Sequence, residues 1–315
     1  MNRLLTRDAL VTLFATAAIA TAAIVAAAIV AATISTAAMS TASGASPEDR
    51  AAAGNARRPF YAFCYDIHDT QKRDFAQQAT MLKQVGFDGA GHVGLDNISQ
   101  RLETLDREGL QLCLVGTSVN LTKPDEALAQ YKAAIPLLKG RNTLLYVVLT
   151  GYPTQSPEGE AVGIRVLREI ADLAAAEKLT VGLYPHTSDW VARAAHATEV
   201  VQKVDRPNCG IIFNLCHFLR NEESDTLPQV LRTAGPLVVG VTLNGADLAG
   251  RGDADWGRLI QPLDRGNYDM PALLAVLDEI HYEGAIGLMC YGIVDDAQAH
   301  LTRSIAQWRL IRPEN

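Results

Sequence analysis

An α/β fold of eight strand–helix units, closed as a (β/α)8 TIM barrel, is what this 315-residue sequence predicts from Pro59 onward. Three observations carry the prediction. Short apolar runs alternate one for one with longer helical patterns, which implies a parallel sheet. The runs are continuously apolar, as expected of strands covered on both faces. Eight such units in about 250 residues match a barrel's length. No Gly-x-Gly-x-x-Gly turn follows the first run, so a dinucleotide-binding open sheet lacks its main support.

The elements follow in order. Phe60–Asp66 is the first predicted strand, and a helix through Phe75–Gly86 follows it. Phe87–Gly94 and Asn97–Gly109 form the second pair, the helix ending on its glycine. Leu110–Val119 and Pro124–Gly140 form the third, with Asp125 and Glu126 placed to favour the helix N-terminus. Asn142–Gly151 with Glu160–Lys178 is the fourth pair, and Leu179–His186 with Asp189–Asp205 the fifth. Cys209–His217 precedes a helix at Asp225–Gly235, and Pro236–Asp247 precedes one at Asp269–Gly284. Ala285–Ile293 and Asp295–Ile311 complete the set.

Composition narrows the function. The chain is 48% hydrophobic and 20% charged, enough to bury a large core. Its 28 Lys and Arg are mixed among 35 Asp and Glu, for a net charge of −7. Without a basic block there is nothing to release counterions from phosphates, so nucleic acid is not an expected partner. Residues 1–42 are predicted to be a signal peptide or membrane anchor, 43–58 a flexible linker, and 59–312 the barrel. The run from Ala9 to Ile34 carries no charge, is long enough to span a bilayer, and has Arg3 and Arg7 on its inner flank. Either outcome exports the barrel, and membrane contact is expected only through this segment. Five cysteines, none in a Cys-x-x-Cys pair, are expected to be small buried hydrophobes rather than a disulfide framework or zinc site.

In a barrel the functional side chains stand at the C-terminal strand ends and in the loops just after them. Of seven histidines, His68, His92, His186 and His217 fall there, which predicts a polar small-molecule site. His186 and His217 are the candidate acid–base groups, since imidazole titrates near neutrality. Tyr184, His92, Asn214, Asn244 and Asp247 are candidate substrate contacts, able to hydrogen-bond hydroxyls. Asp66 and Asp69, just before a helix, serve equally well as caps. His186 and His217, with Glu158 or Asp247, are candidates for a softer metal such as zinc, nickel or iron.

The stretch "WGRLIQPLDRGNYDMPALLAVLDEIHYEGAIGLMCYGI", with "FNLCHFLR" and "VTLNGAD", resembles the xylose-isomerase-like TIM barrels, broadly sugar-phosphate isomerases and epimerases. The resemblance covers the barrel from Phe60 to Arg312. It implies a divalent ion held by a Glu of strand 5, an Asp of strand 6, a His of strand 7 and a Glu of strand 8. Those positions here carry His186, Asn214, Thr242 or Asn244, and Met289 or Cys290. Only His217 of the strand-6 element matches. A hard cation prefers carboxylate oxygens, so the usual site is expected to be altered and the cofactor is left unassigned. The expected function is an isomerase- or epimerase-like enzyme, or a lyase, acting on a sugar or polyol by proton transfer. The alternatives are a non-catalytic carbohydrate-binding barrel and, less well matched to the acidic balance, an endonuclease of the related fold. The residues assign no oligomeric state.

Overall fold

The computed structural model describes residues 58–248 and 255–312, so the predicted leader at 1–42 and nearly all of the linker lie outside the described residues. The first half of the barrel runs β1 (Phe60–Phe63), α1 (Phe75–Val85), β2 (Gly89–Val93), α2 (Ile98–Arg107), β3 (Gln111–Asn120), α3 (Asp125–Ala134), β4 (Leu144–Thr150) and α4 (Glu160–Ala176). The second half runs β5 (Thr180–Leu183), α5 (Ala194–Val204), β6 (Cys209–Asn214), α6 (Leu215–Asn221), α7 (Leu227–Ala234), β7 (Val238–Leu243), α8 (Trp256–Leu259), α9 (Met270–Glu279), β8 (Ile286–Met289) and α10 (Ala297–Ile311). The eight strands close in chain order, and β8 pairs in parallel with β1. No helix among the described residues is long and apolar enough to cross a membrane.

Two layers of packing follow from the alternation of side chains along each strand. Ala62, Val115, Val147 and Ile211 point into a large apolar cluster shared with the helices, including Leu82, Leu105 and Ile170. Tyr61, Phe63, Leu114, Tyr146, Val148, Ile212 and Met289 form a second cluster that fills the barrel. Bulk from some strands fits space left by glycines on others. A Cβ on Gly91 would lie 2.4 Å from the Phe63 ring, and one on Gly182 would lie 2.4 Å from Ile212.

Strands β1, β5, β7 and β8 end at Phe63, Leu183, Leu243 and Met289, short of the predicted Asp66, His186, Asp247 and Ile293, and two further differences shape the site. The helix expected from Asp189 begins only at Ala194, because residues 187–193 make a turn that carries functional side chains. The sixth strand stops at Asn214, whose side chain accepts from the His217 N–H at 3.1 Å and so starts α6. The short helix α6, unforeseen in the sequence, sets the direction of His217. All five cysteines are buried and unpaired. Burial pushes the Cys209 and Cys216 thiols up to about 12, which keeps them protonated and unreactive.

Candidate functional site

The rim after β5 and β6 holds the most organised group of polar side chains. His186 leaves the end of β5 in a turn fixed by its own N–H donating to Val191 O at 2.9 Å. Asp189 returns under the ring, and His186 Nδ1 donates to Asp189 Oδ2 at 2.6 Å. With its proton held on Nδ1, neutral His186 presents a bare Nε2. The turn is anchored by Trp190, 1% exposed, whose Nε1 donates to Ser156 O at 2.8 Å. Its indole packs where Gly159 and Gly163 leave room, a Cβ on Gly163 coming within 2.6 Å of the ring.

His217 faces His186 with ring centroids 4.3 Å apart and planes inclined by 54°. Its hydrogen bonding is the mirror of its neighbour's. Asn221 Nδ2 donates to the Thr187 hydroxyl at 3.0 Å, and that hydroxyl lies 2.9 Å from His217 Nδ1. The Thr187 backbone N–H also donates to Nδ1, at 3.3 Å. Nδ1 is therefore an acceptor, and the proton of neutral His217 sits on Nε2. Burial, reinforced by His186, holds the His217 pKa well below its ordinary 6.5. With both rings neutral, the pair offers one imidazole nitrogen that can take a proton and one that can donate a hydrogen bond. Trp256, on α8, stands 5.5 Å from His217 in an edge contact.

The other predicted residues are distributed as follows. Asn214 is buried, and its amide is fully engaged: Nδ2 donates to the Tyr184 hydroxyl and, at 2.6 Å, to Thr242 Oγ1. Its Oδ1 accepts from Cys216 Sγ at 2.9 Å and from the His217 N–H. Tyr184 is buried beside it, so both brace the floor beneath the imidazole pair. Asn244 is fully buried and donates to Leu259 O at 2.6 Å and Gly245 O at 2.9 Å, tying β7 to α8; its Oδ1 has no partner. Asp247 is held by Arg258 at 3.3 Å. Glu158 is exposed on a 3-10 turn, Pro157–Gly159. Among the described residues no three His, Cys, Asp or Glu side chains are grouped so that they could hold a metal ion.

His92 lies on β2, four strands from β6, and its Nε2 contacts Asp96 O at 3.0 Å. Burial lowers its pKa. Beside it is a group the sequence did not suggest. Arg101, fully buried, donates to Gln78 Oε1 at 2.8 Å and to Asp66 at 3.2 Å, and lies 4.2 Å over the Phe75 ring. Asp66 is thereby an ion-pair partner, and Asp69 is bound to Arg73 at 2.9 Å. Asp189, Thr187, Asn221 and Trp256 were also missed. The one available signal was Asp189 three residues beyond His186, and the helical spacing that begins there concealed it.

A (β/α)8 barrel with its polar groups gathered at the C-terminal strand ends defines the structural class. Residues 79–308 match the model of the xylose isomerase-like TIM barrel family, and the chain belongs to that family. No curated protein matches the sequence. Among solved structures, the D-allulose 3-epimerase of Methylomonas sp. in complex with D-allulose is 15% identical, with a TM-score of 0.63, covering 81% of this chain and 98% of that one. The IOLI protein with a bound zinc atom is 16% identical, with a TM-score of 0.63, over 80% and 97% of the two chains. The probable 3-DHS dehydratase AsbF of Bacillus anthracis is 14% identical, with a TM-score of 0.63, over 82% and 100%. At such identities the likeness is one of fold.

Proposed function

We propose that the protein is an exported isomerase- or epimerase-like enzyme that moves a proton on a sugar or polyol-derived carbonyl compound through His186 and His217. The observation that carries this reading is the pair of opposed tautomers: Asp189 frees Nε2 of His186, and Thr187 places the His217 proton on Nε2. His186 Nε2 takes the proton from the carbon beside the carbonyl. His217 Nε2–H donates to the carbonyl oxygen as charge develops there, a role that suits a neutral imidazole kept from protonation by burial. Asp189 stabilises the imidazolium that forms. Return of the proton from His186 to the neighbouring carbon, with the hydroxyl proton passing from one oxygen to the other by way of His217, gives an isomer; an epimer forms when the enediol turns its other face to His186 before the same proton returns.

The family's divalent ion does not suit the donors present. Asn214 has no lone pair left to offer, Thr242 and Tyr184 are neutral hydroxyls already bonded to it, and Cys216 stays a thiol. We assign no step to a metal. The D-allulose bound by one structural neighbour supports sugars as the substrate class. A lyase outcome shares the same first step, and the dehydratase neighbour supports including it in a substrate screen. The uncharged run from Ala9 to Ile34 supports export, and buried, protonated thiols are compatible with an oxidising compartment.

The test is solvent exchange. Ketoses and aldoses are incubated with the protein in D2O, and NMR follows deuterium entering the carbon beside the carbonyl. Exchange that disappears in His186→Ala supports the proposal. Sugar binding without exchange in any member of the panel would favour a carbohydrate-binding barrel, a reading that the exposed Trp256 and Tyr291 also suit.

A further inference from the structure

Large hydrophobic side chains are exposed mainly on one part of the molecule. Among the described residues they are Leu137 and Leu310 elsewhere, and six on the C-terminal rim: Ile67, Val93, Leu248, Trp256, Tyr291 and Val294. In the closed strand order these six stand at or after β7, β8, β1 and β2, which are consecutive around the ring. None follows β3 to β6, the arc that carries the imidazole pair. Single exposed hydrophobics are ordinary on any surface, whereas a patch confined to one half of a binding mouth marks something to be covered. Tyr291 is 51% and Val294 75% exposed. Neither supports the core.

The crescent meets the polar site at Trp256. Trp256 touches His217, and at the far end Tyr291 packs edge-on against His68 at 4.9 Å. A free monosaccharide at the imidazole pair would leave Tyr291, Val294 and Ile67 wet. We infer that the substrate is amphipathic: a hydroxylated carbonyl end sits at His186 and His217, and an apolar substituent, aryl or alkyl, lies across Tyr291 and Val294. This inference rests on the acid–base reading of the site for its polar half only.

D-ketohexoses carrying either a methyl or a benzyl ether on the 6-hydroxyl keep the reacting carbonyl and differ only in the apolar group. Calorimetry on the full chain compares their Kd values, and the D2O assay compares their exchange. The benzyl ethers are expected to bind on the order of tenfold tighter, the return from covering roughly 60 Å² of ring. Combining Tyr291→Ser with Val294→Ser, both at exposed positions, is expected to bring the ratio near one. His186→Ala is expected to keep the ratio and abolish exchange. Equal affinities, or a preference that survives the double substitution, overturn the inference, as does a Tyr291-dependent affinity for phosphatidylglycerol vesicles without benzyl preference. Exchange without benzyl preference removes the crescent's role and leaves the acid–base pair. Benzyl preference without exchange does the reverse.

Discussion

At Asp189 one carboxylate decides which nitrogen of His186 is free. Asparagine there would keep the hydrogen bond by turning its amide but would favour the wrong tautomer, so Asp189→Asn is expected to slow exchange by about 10²–10⁴-fold with little change in sugar affinity. Equal exchange rates in the two proteins would remove Asp189 from the mechanism. Asn221→Ala loosens the Thr187 hydroxyl that fixes the His217 tautomer, and a smaller loss, on the order of tenfold, is expected in the same assay. At this scale the sequence showed the two imidazoles, because a histidine just past a barrel strand is visible from position alone. It did not show their partners. Asp189 was absorbed into an apparent helix, and Asn214, read as a ligand-facing amide, proves to be saturated by its neighbours.

The turn between β5 and α5 works as a unit held by Trp190. Besides its indole bond to Ser156, its N–H donates to Leu149 O at 3.2 Å, and its carbonyl accepts from the Gln155 N–H. Trp190→Ala removes a fully buried ring and is expected to cost about 3–5 kcal/mol in denaturant unfolding while releasing the His186 turn. Stability within about 0.5 kcal/mol of the parent would contradict that anchoring role. Inside the barrel, Gly91→Ala forces a methyl against Phe63, and a loss of about 1–3 kcal/mol is expected from the same measurement. A capping box of Asp74 and Gln77 fixes the start of α1. Helices and strands were legible because their periods differ. Short helices were not. Neither α6 nor α8 is long enough to show a period, and both depend on caps, Asn214 and Asp255.

Across the whole molecule, four histidines, His92, His196, His217 and His300, have pKa values lowered chiefly by burial. Each binds a proton more readily in the unfolded chain. Their contribution is therefore complete above about pH 6.5 and is lost as pH falls below it, by up to about 1.4 kcal/mol per pH unit for each group. Unfolding followed from pH 8 to pH 5 is expected to show this decline, and His217→Gln should lessen its slope by about one proton. An identical slope in the variant would show that His217 titrates normally. The barrel was legible as a whole because eight repeated units leave few topologies open. The division of its mouth was not, since an apolar residue in a loop looks the same in sequence whether it is covered or bare.

The central claim, proton transfer by an imidazole pair without the family's divalent ion, is tested most directly by deuterium exchange after exhaustive chelation, with metal content measured on the same sample. Exchange is predicted to persist in metal-free protein and to vanish in His186→Ala. Exchange that stops on chelation and returns with a stoichiometric divalent ion would contradict it.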